Sequence, residues 1–296
     1  MLQNNFKIIS GVEVYTIALC LLNALLLSNN LSANDTVNEN SLKQPVANNN
    51  IIFHTLPSNY NYLATRCILK DYKGFMWFGT QNGLIRFDGV NLKEYEHDAD
   101  DSTSIRYNTV NAILEDKNHN LWIGTSGGLS LYNRSHDNFN TNYTKTGQVS
   151  PLDQLYISSL SAGKDSILWI GTFAQDLFSI NIYTGKTKKY VLESAIGINA
   201  NITCILPDST NKLWVGTQSG LVFFDIEANR SHWFQNNMDD PLSISSNHIS
   251  SIQKDCFGNI WVGTQDKGLN LIVNSGNTYT FERISYNSGP PRISSN

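Results

Sequence analysis

The chain has 296 residues, a formal net charge of −4 and 16% charged side chains, against roughly 25% in an average soluble domain. This acidic balance, with no cluster of Lys and Arg, argues against nucleic acid as a partner, because phosphate binding needs a concentrated basic surface. Aromatic residues (11%) beside many turn-forming Asn and Ser favour an all-β protein.

The first 33 residues resemble an export signal. Lys7 precedes an apolar stretch at residues 14–27, and Leu31, Ser32 and Ala33 form a small-residue cleavage pattern. The stretch has 14 residues, too few to span a bilayer comfortably, so we expect a cleaved signal peptide, with an uncleaved N-terminal anchor as the alternative. In both cases the rest of the chain leaves the cytoplasm. Residues 34–50 are polar and aperiodic, which predicts a disordered lead-in.

A four-residue motif, Trp-apolar-Gly-Thr, recurs five times, with steps of 45, 47, 45 and 47 residues between its tryptophans. An aspartate stands six residues before four of these tryptophans, whereas the third repeat has Gly163 there. Because Trp and Gly alternate along a strand, both lie on one face of the sheet. We expect the indole to fill the space between neighbouring sheets and the glycine to let them approach. The structural pairs are Trp77 and Gly79, Trp122 and Gly124, Trp169 and Gly171, Trp214 and Gly216, and Trp261 and Gly263.

Each repeat divides into four short strands joined by polar or Gly-containing turns. In the second repeat the predicted strands are residues 109–115, 121–125, 129–133 and 139–144. Four strands in roughly 45 residues is the spacing of β-propeller blades. The predicted fold is therefore all-β, a β-propeller of four-stranded antiparallel blades with about five blades present. The blades are placed near residues 57–100, 101–147, 148–193, 194–238 and 239–288.

The propeller is expected to be incomplete and of a seven-bladed type. Residues 51–56 precede the first full unit and have no partner strands of their own. Residues 293–296 repeat residues 244–247, so residues 289–296 match the start of a further blade. We expect a truncated reading frame or an N-terminal fragment of a longer protein; closure as a five-bladed ring is the alternative.

The repeated pattern Asp-x-x-Gly-x-Φ-Trp-Φ-Gly-Thr-x-x-Gly-Leu, where Φ is apolar, resembles the two-component regulator propeller repeat, and residues 71–84 match it in full. The resemblance covers residues 51–296. In that family, common in Bacteroidetes, such repeats form the periplasmic sensors of hybrid two-component systems that detect glycan fragments. The resemblance thus implies a sensor with an oligosaccharide or other small ligand, and a kinase portion downstream as its partner. Whether the chain forms a homodimer is left open by the resemblance.

The chain has no phosphoacceptor helix around its six histidines and no Gly-rich ATP loop, so we expect no enzyme activity, no cofactor and no metal. Residues 116–120 look like part of a calcium loop, but no glutamate closes it and a turn is favoured. Cys67, Cys204 and Cys256 are too few for a disulfide framework, which favours small buried apolar roles. The alternatives to a sensor are a propeller enzyme of the lyase type and a scaffold or non-functional fragment.

The candidate ligand site lies at the mouth of the central channel. The turns between second and third strands, and the connections between blades, should gather on that face. Amides and carboxylates there could bond sugar hydroxyls, and Phe173 could stack on a pyranose ring. The third repeat is the most irregular, because residues 173–176 replace its Gly-Leu turn. The candidate residues are Gln81, Asn82, Phe173, Gln175, Asp176, Gln218, Gln265, Asp266 and Lys267.

Overall fold

A computed structural model describes residues 64–141, 151–173, 176–192, 201–209, 211–276 and 278–284. The export signal, the lead-in, the early strand at 51–56, Gln175 and the start of a further blade at 289–296 lie outside these residues. The described ranges contain strands and turns; a helix long and apolar enough to cross a membrane is not among them.

Within the described residues, twenty strands form five antiparallel sheets of four strands each. The first sheet holds β1 (Thr65–Lys70), β2 (Met76–Thr80), β3 (Gly83–Phe87) and β4 (Leu92–Tyr95). The second holds β5 (Val110–Glu115), β6 (Leu121–Thr125), β7 (Gly128–Asn133) and β8 (Asn138–Asn140). The third holds β9 (Ile157–Ala162), β10 (Ile167–Thr172), β11 (Asp176–Asn181) and β12 (Thr187–Val191). The fourth holds β13 (Ile202–Pro207), β14 (Lys212–Thr217), β15 (Gly220–Asp225) and β16 (Arg230–Phe234). The fifth holds β17 (Ile249–Lys254), β18 (Ile260–Thr264), β19 (Leu269–Asn274) and β20 (Tyr279–Ile284).

The sheets are arranged around an axis. In every sheet the strands pair in chain order, and the first strands β1, β5, β9, β13 and β17 contact one another in succession. The first strand of each sheet therefore lies innermost and the fourth outermost. The described part of the chain is an incomplete β-propeller with five blades, as the repeat predicted. In the second blade, β6 matches its prediction, while β8 begins one residue earlier than expected and ends at Asn140.

The Trp–Gly pairs of the repeat lie at the seams, which are the contacts between neighbouring blades. Trp77 and Trp214 are 0% exposed, and each lies in an apolar cluster shared by its own blade and the next. A Cβ atom added to Gly171 would lie 2.5 Å from Cγ2 of Ile202 in the next blade. The glycine thus permits a contact that alanine would block. Trp261, in the last described blade, is only partly buried.

The repeated aspartate does more than form a turn. Asp71 Oδ1 accepts the backbone N–H groups of Lys73 and Phe75, both at 3.0 Å, while its Oδ2 accepts the indole N–H of Trp77 at 3.0 Å. Asp116 and Asp255 make the same indole bonds, both at 3.0 Å. One carboxylate therefore fixes the turn between the first two strands and also the rotamer of the seam tryptophan.

Two repeats depart from this arrangement. Asp208 bonds Lys254 of the fifth blade at 3.2 Å, and Trp214 Nε1 is buried without a hydrogen-bond partner in the described residues. In the third repeat, a Cβ atom on Gly163 would lie 2.7 Å from Trp169 Nε1, so the indole occupies the space that a side chain would need.

At the first seam, a group of hydrogen bonds around Asp137 also joins the first and second blades, and we call this group the clasp. Asp137, in the turn between β7 and β8, accepts hydrogen bonds from Arg86 (2.9 Å), Lys93 (2.5 Å) and Tyr95 (2.6 Å) of the first blade, and from Tyr132 of its own. Burial would raise the pKa of Asp137, but these hydrogen bonds and the Arg86 charge hold it well below its ordinary value. Burial, with the bonds to Asp137 and Tyr132, raises the pKa of Tyr95. The clasp therefore holds its charge across the whole neutral range.

The seam glycine can be tested by Gly171→Ala, with Gly263→Ala as the matched control. Both added methyl groups meet a serine hydroxyl of their own blade at 2.4 Å, but at Gly171 the methyl also meets Ile202. We expect Gly171→Ala to lower the free energy of unfolding by about 1–3 kcal/mol, the usual cost of overpacking, and Gly263→Ala to cost less. Urea unfolding followed by tryptophan fluorescence measures both. Equal costs would contradict the seam interpretation.

The hydrogen bonds that Asp71 accepts predict that the stability of the fold depends on pH. Burial would raise the pKa of Asp71, but hydrogen bonds from Arg134 and Trp77 outweigh it and lower the pKa. A lowered folded-state pKa means that the stabilisation is complete above the unfolded-state pKa and is lost as the pH falls through the folded-state pKa. Asp71→Asn should cost about 1.5–3 kcal/mol at pH 7. The difference from wild type should shrink below about pH 4, where unfolded Asp protonates.

The control for this test is Asp208→Asn, at the same repeat position but without the indole bond. Its ion pair with Lys254 is partly exposed and should contribute less than about 1 kcal/mol. The midpoint of urea unfolding, measured at pH 7 and at pH 3 for the wild type and both variants, tests this prediction. A pH-independent deficit in Asp71→Asn would show that the charge of the carboxylate is irrelevant.

Candidate functional site

The turns after the second strands meet the connections that lead into the first strands. In four blades a backbone N–H just after the second strand donates to the carbonyl oxygen of the residue just before the first strand. We call these two residues a rim pair, and the face that carries the pairs the upper rim. The bonds join Ser126 to Thr109 (3.0 Å), Phe173 to Tyr156 (3.0 Å), Gln218 to Asn201 (3.1 Å) and Gln265 to His248 (2.9 Å). The predicted gathering of these loops on one face is therefore observed.

The turns of the upper rim are held by their own hydrogen bonds. In the first blade, Thr80 Oγ1 donates to the Gly83 carbonyl oxygen (2.9 Å) and accepts the N–H of Asn82 (3.0 Å). Gly83 has a φ of 129°, a conformation that favours glycine. The threonine of the repeat motif makes the same bond in the other four blades. Gln81 and Asn82 are consequently exposed on a fixed turn.

A second set of polar side chains lies near the upper rim, on the second residue of each first strand. Asn111 Nδ2 donates to the Ile157 carbonyl oxygen (3.0 Å), Ser158 Oγ to that of Ile202 (2.6 Å), and Thr203 Oγ1 to that of Ile249 (2.8 Å). Each bond crosses from one blade to the next. Arg66 and Ser250 occupy the equivalent positions in the first and fifth blades, and both are exposed. This set is therefore polar, and its hydrogen bonds hold neighbouring blades together.

The third rim pair is aromatic. The rings of Tyr156 and Phe173 have centroids 5.1 Å apart, and Phe173 remains 48% exposed. Tyr156 Oη donates to Asn111 Oδ1 at 3.2 Å, which connects the pair to the set of inter-blade bonds.

The predicted site residues lie at this same end of the fold, although whether they bind a ligand stays a prediction. Gln81, Asn82, Gln265, Asp266 and Lys267 are exposed turn residues. Gln218 is exposed, and its Oε1 accepts from Asn201 Nδ2 at 2.8 Å. Asp176 begins β11 and is paired with Lys189 at 2.8 Å, so its carboxylate is already partnered. Gln175 lies outside the described residues.

Four residues at the rim were missed by sequence reasoning: Asn111, Tyr156, Asn201 and His248. Tyr156, Asn201 and His248 each stand 13 residues before a repeat tryptophan, and their rim partners stand four residues after it. This fixed offset is the signal that locates the pairs, and it becomes meaningful only once the first strand of each blade is known to line the channel.

The described histidines and cysteines do not assemble into a reactive site. Groups of three or more His, Cys, Asp or Glu that could hold a metal ion are absent from the described part of the chain. Among the described residues, Cys67, Cys204 and Cys256 do not form disulfide bonds. Cys67 and Cys204 pair with Gly79 and Gly216 across their sheets, so both lie at seams where a small side chain is needed. This agrees with the structural role expected for those two.

Comparison with known proteins supports the family resemblance. A protein-family description, the two component regulator propeller, matches residues 55–82, 104–127 and 196–219. These three segments of the chain therefore match that repeat. Among solved structures it is similar to the extracellular domain of a protein described as a hybrid two component system of B. thetaiotaomicron, BT3049. The identity is 25% and the TM-score is 0.62, over 78% of this chain and 32% of that one.

A second B. thetaiotaomicron extracellular domain, from BT4673, is 25% identical with a TM-score of 0.59, over 71% of this chain and 28% of that one. The chain thus spans about a third of the length of these neighbours. Virginiamycin B lyase from Staphylococcus aureus is 15% identical with a TM-score of 0.53, over 73% of this chain and 69% of that one, and shares the fold alone. No curated protein sequence matches the chain.

The thiols give a test of the seams in solution. Burial raises the pKa of the Cys204 thiol to about 12, so little reactive thiolate exists at pH 8, whereas Cys256 is exposed. We expect a thiol reagent such as iodoacetamide to label Cys256 in native protein while Cys204 stays protected until urea unfolds the chain. Peptide mass spectrometry after timed labelling measures this. Equal labelling rates in native protein would show that the fourth seam is open.

Proposed function

We propose that this chain is a periplasmic ligand-binding module of the sensing type, and that its ligands are glycan fragments. Its similarity to the extracellular domains of B. thetaiotaomicron two component and one component systems supports a sensing role. The observation that carries the binding proposal is the upper rim itself. Five blades present amide and hydroxyl groups around one channel mouth, held by hydrogen-bonded turns.

The chemistry of the rim suits sugars. Sugar hydroxyl groups both donate and accept hydrogen bonds, and side-chain amides do the same. Gln81, Gln218 and Gln265 occupy the same position of the turn in three blades. Ligand sites commonly combine a concave surface with a small number of placed polar groups. Fixed turns reduce the entropy lost when a ligand orders these side chains.

We propose that the chain binds its ligand without converting it. A propeller lyase would need a general base close to an electrophile or metal ion. The described histidines His97, His119, His136, His232 and His248 lie in four different loops and one strand, spread over four blades. The likeness to virginiamycin B lyase rests on the fold, and unrelated functions share folds.

Signal output is proposed to depend on a kinase portion outside this chain. In that arrangement, a ligand would bind at the upper rim in the periplasm. Binding would change the conformation of this domain, and the downstream kinase portion would respond to that change. Neither a cofactor nor a nucleic acid has a part in the proposal. A second copy of the chain is a candidate partner, and light scattering with and without sugar addresses it.

The binding proposal can be tested with the full chain by isothermal titration calorimetry. A suitable panel has neutral oligosaccharides (cellobiose, maltotriose, mannobiose and xylotriose) and acidic ones (digalacturonate and a chondroitin disaccharide). We expect saturable binding of at least one sugar. A Gln81→Ala, Gln218→Ala, Gln265→Ala triple variant should bind it at least about tenfold more weakly, because hydrogen bonds at three blades are removed.

The matched control changes exposed polar residues at the opposite end of the blades: Lys73→Ala with Asn118→Ala. It should bind as wild type does. Mass spectrometry of the sugar after prolonged incubation should show no product. Absence of any binding would contradict the sensor proposal, and turnover would contradict the proposal that the chain is not an enzyme.

A further inference from the structure

The upper rim is not uniform, because one of its rim pairs differs in kind from the others. The pairs Thr109 and Ser126, Asn201 and Gln218, and His248 and Gln265 carry polar side chains. The pair in the third blade is Tyr156 and Phe173. All four pairs share the same backbone hydrogen bond, so the aromatic side chains are presented in the same way as the polar ones.

Phe173 is an aromatic side chain that stays exposed while its backbone and ring are held by Tyr156. Its backbone N–H is bound to the Tyr156 carbonyl oxygen at 3.0 Å, and the Tyr156 ring supports it with centroids 5.1 Å apart. Nearly half of the side chain (48%) stays exposed at the channel mouth. Leaving a large ring exposed forgoes the free energy of burying it. Single exposed apolar side chains are common on protein surfaces, so the exposure of Phe173 counts here only together with its fixed position between hydrogen-bonding side chains.

The groups on both sides of the ring are uncharged hydrogen-bonding groups. On the second blade, Asn111 is fixed by the Tyr156 hydroxyl (3.2 Å), the Ile157 carbonyl oxygen (3.0 Å) and Ser126 Oγ (3.3 Å). Its Oδ1 retains a second lone pair that could accept a ligand hydroxyl. On the fourth blade, Asn201 and Gln218 are joined at 2.8 Å. Both flanks of the aromatic pair are thus pre-organised amides.

The charges near the aromatic pair do not favour an anion. Asp176, three residues after Phe173, is the nearest ionised side chain along the turn, and Lys189 is already paired with it at 2.8 Å. The residues around the aromatic pair (Asn111, Asn201 and Gln218) are themselves uncharged. A charged ligand group would therefore lose its water without gaining an ion pair from them, which costs free energy.

A neutral pyranose matches this arrangement. Its apolar face presents C–H groups with a small positive partial charge, which pack on the electron-rich face of an aromatic ring. Its rim of hydroxyl groups reaches sideways toward the amides. We propose that Phe173, supported by Tyr156, is the stacking platform of a subsite for one neutral pyranose unit, with Asn111 accepting from a sugar hydroxyl. This inference rests on the proposed function.

The test compares the wild type with Phe173→Ala, Phe173→Trp and Phe257→Ala against the same sugar panel by calorimetry. Phe257 is the matched control, because it is 86% exposed on the turn between β17 and β18, at the opposite end of the blades. Neutral sugars should bind wild type. Phe173→Ala should weaken their binding at least about tenfold, as the loss of an aromatic anchor does. Phe173→Trp should keep binding within a few fold, and Phe257→Ala should leave it unchanged.

A second variant, Tyr156→Phe, keeps the ring and removes the hydroxyl that fixes Asn111. We expect it to weaken binding less than Phe173→Ala does. Thermal melting of every variant should match wild type, since Phe173 and Phe257 are exposed. Neutral sugars bound equally by wild type and Phe173→Ala, or binding confined to the acidic sugars, would overturn the subsite while leaving the sensor proposal standing. Failure of wild type to bind any sugar would overturn both.

Discussion

The fold depends on the close approach of neighbouring blades at a repeated glycine. At the four seams a Cβ atom on that glycine would lie 2.5–2.7 Å from a β-branched side chain of the next blade: Val110, Ile157, Ile202 or Ile249. No carbon atom fits in that gap. The indole two residues earlier fills the wider part of the seam further from the axis. Because the same contact recurs, the first strands converge on one axis and their leading residues form a ring at the channel mouth.

The sequence predicted this part of the fold well, for a physical reason. Each seam is built from the same contact, so the same residues must recur at the same spacing, and a period of 45–47 residues makes them visible. The bond between aspartate and indole was not predicted, although the aspartate was noticed as a turn residue. Asp208 shows that the aspartate alone does not ensure this bond, because the indole N–H of Trp214 has no hydrogen-bond partner among the described residues. A cation from the next blade is not the reason, since Arg134 of the second blade binds Asp71 at 2.7 Å and Asp71 still accepts the indole N–H of Trp77.

The position of the candidate residues in the fold was easier to predict than their side-chain contacts, and their binding role stays a prediction. The turns that carry Gln81, Gln218 and Gln265 were expected to share one end of the blades, because alternating turns of an antiparallel blade must lie at opposite ends. The residues just before the first strands were missed, because Tyr156, Asn201 and His248 share no residue type. Conversely, Asp176 was expected to be available for a ligand and is already paired with Lys189. Side-chain pairing of this kind depends on the register of β11 against β12, which the sequence pattern does not specify.

The seams between blades and the upper rim carry different kinds of side chains, and this difference bears on the proposed function. Sites that perform acid–base chemistry need ionisable groups with shifted pKa values close to the substrate. Here Asp137 and Tyr95, whose pKa values are shifted strongly in opposite directions, meet in the clasp of the first seam, where they hold two blades together. The rim pairs carry hydroxyl, amide, imidazole and aromatic groups on fixed turns. The groups with these strongly shifted pKa values thus serve the contact between two blades. This distribution supports the binding role that we propose for the upper rim.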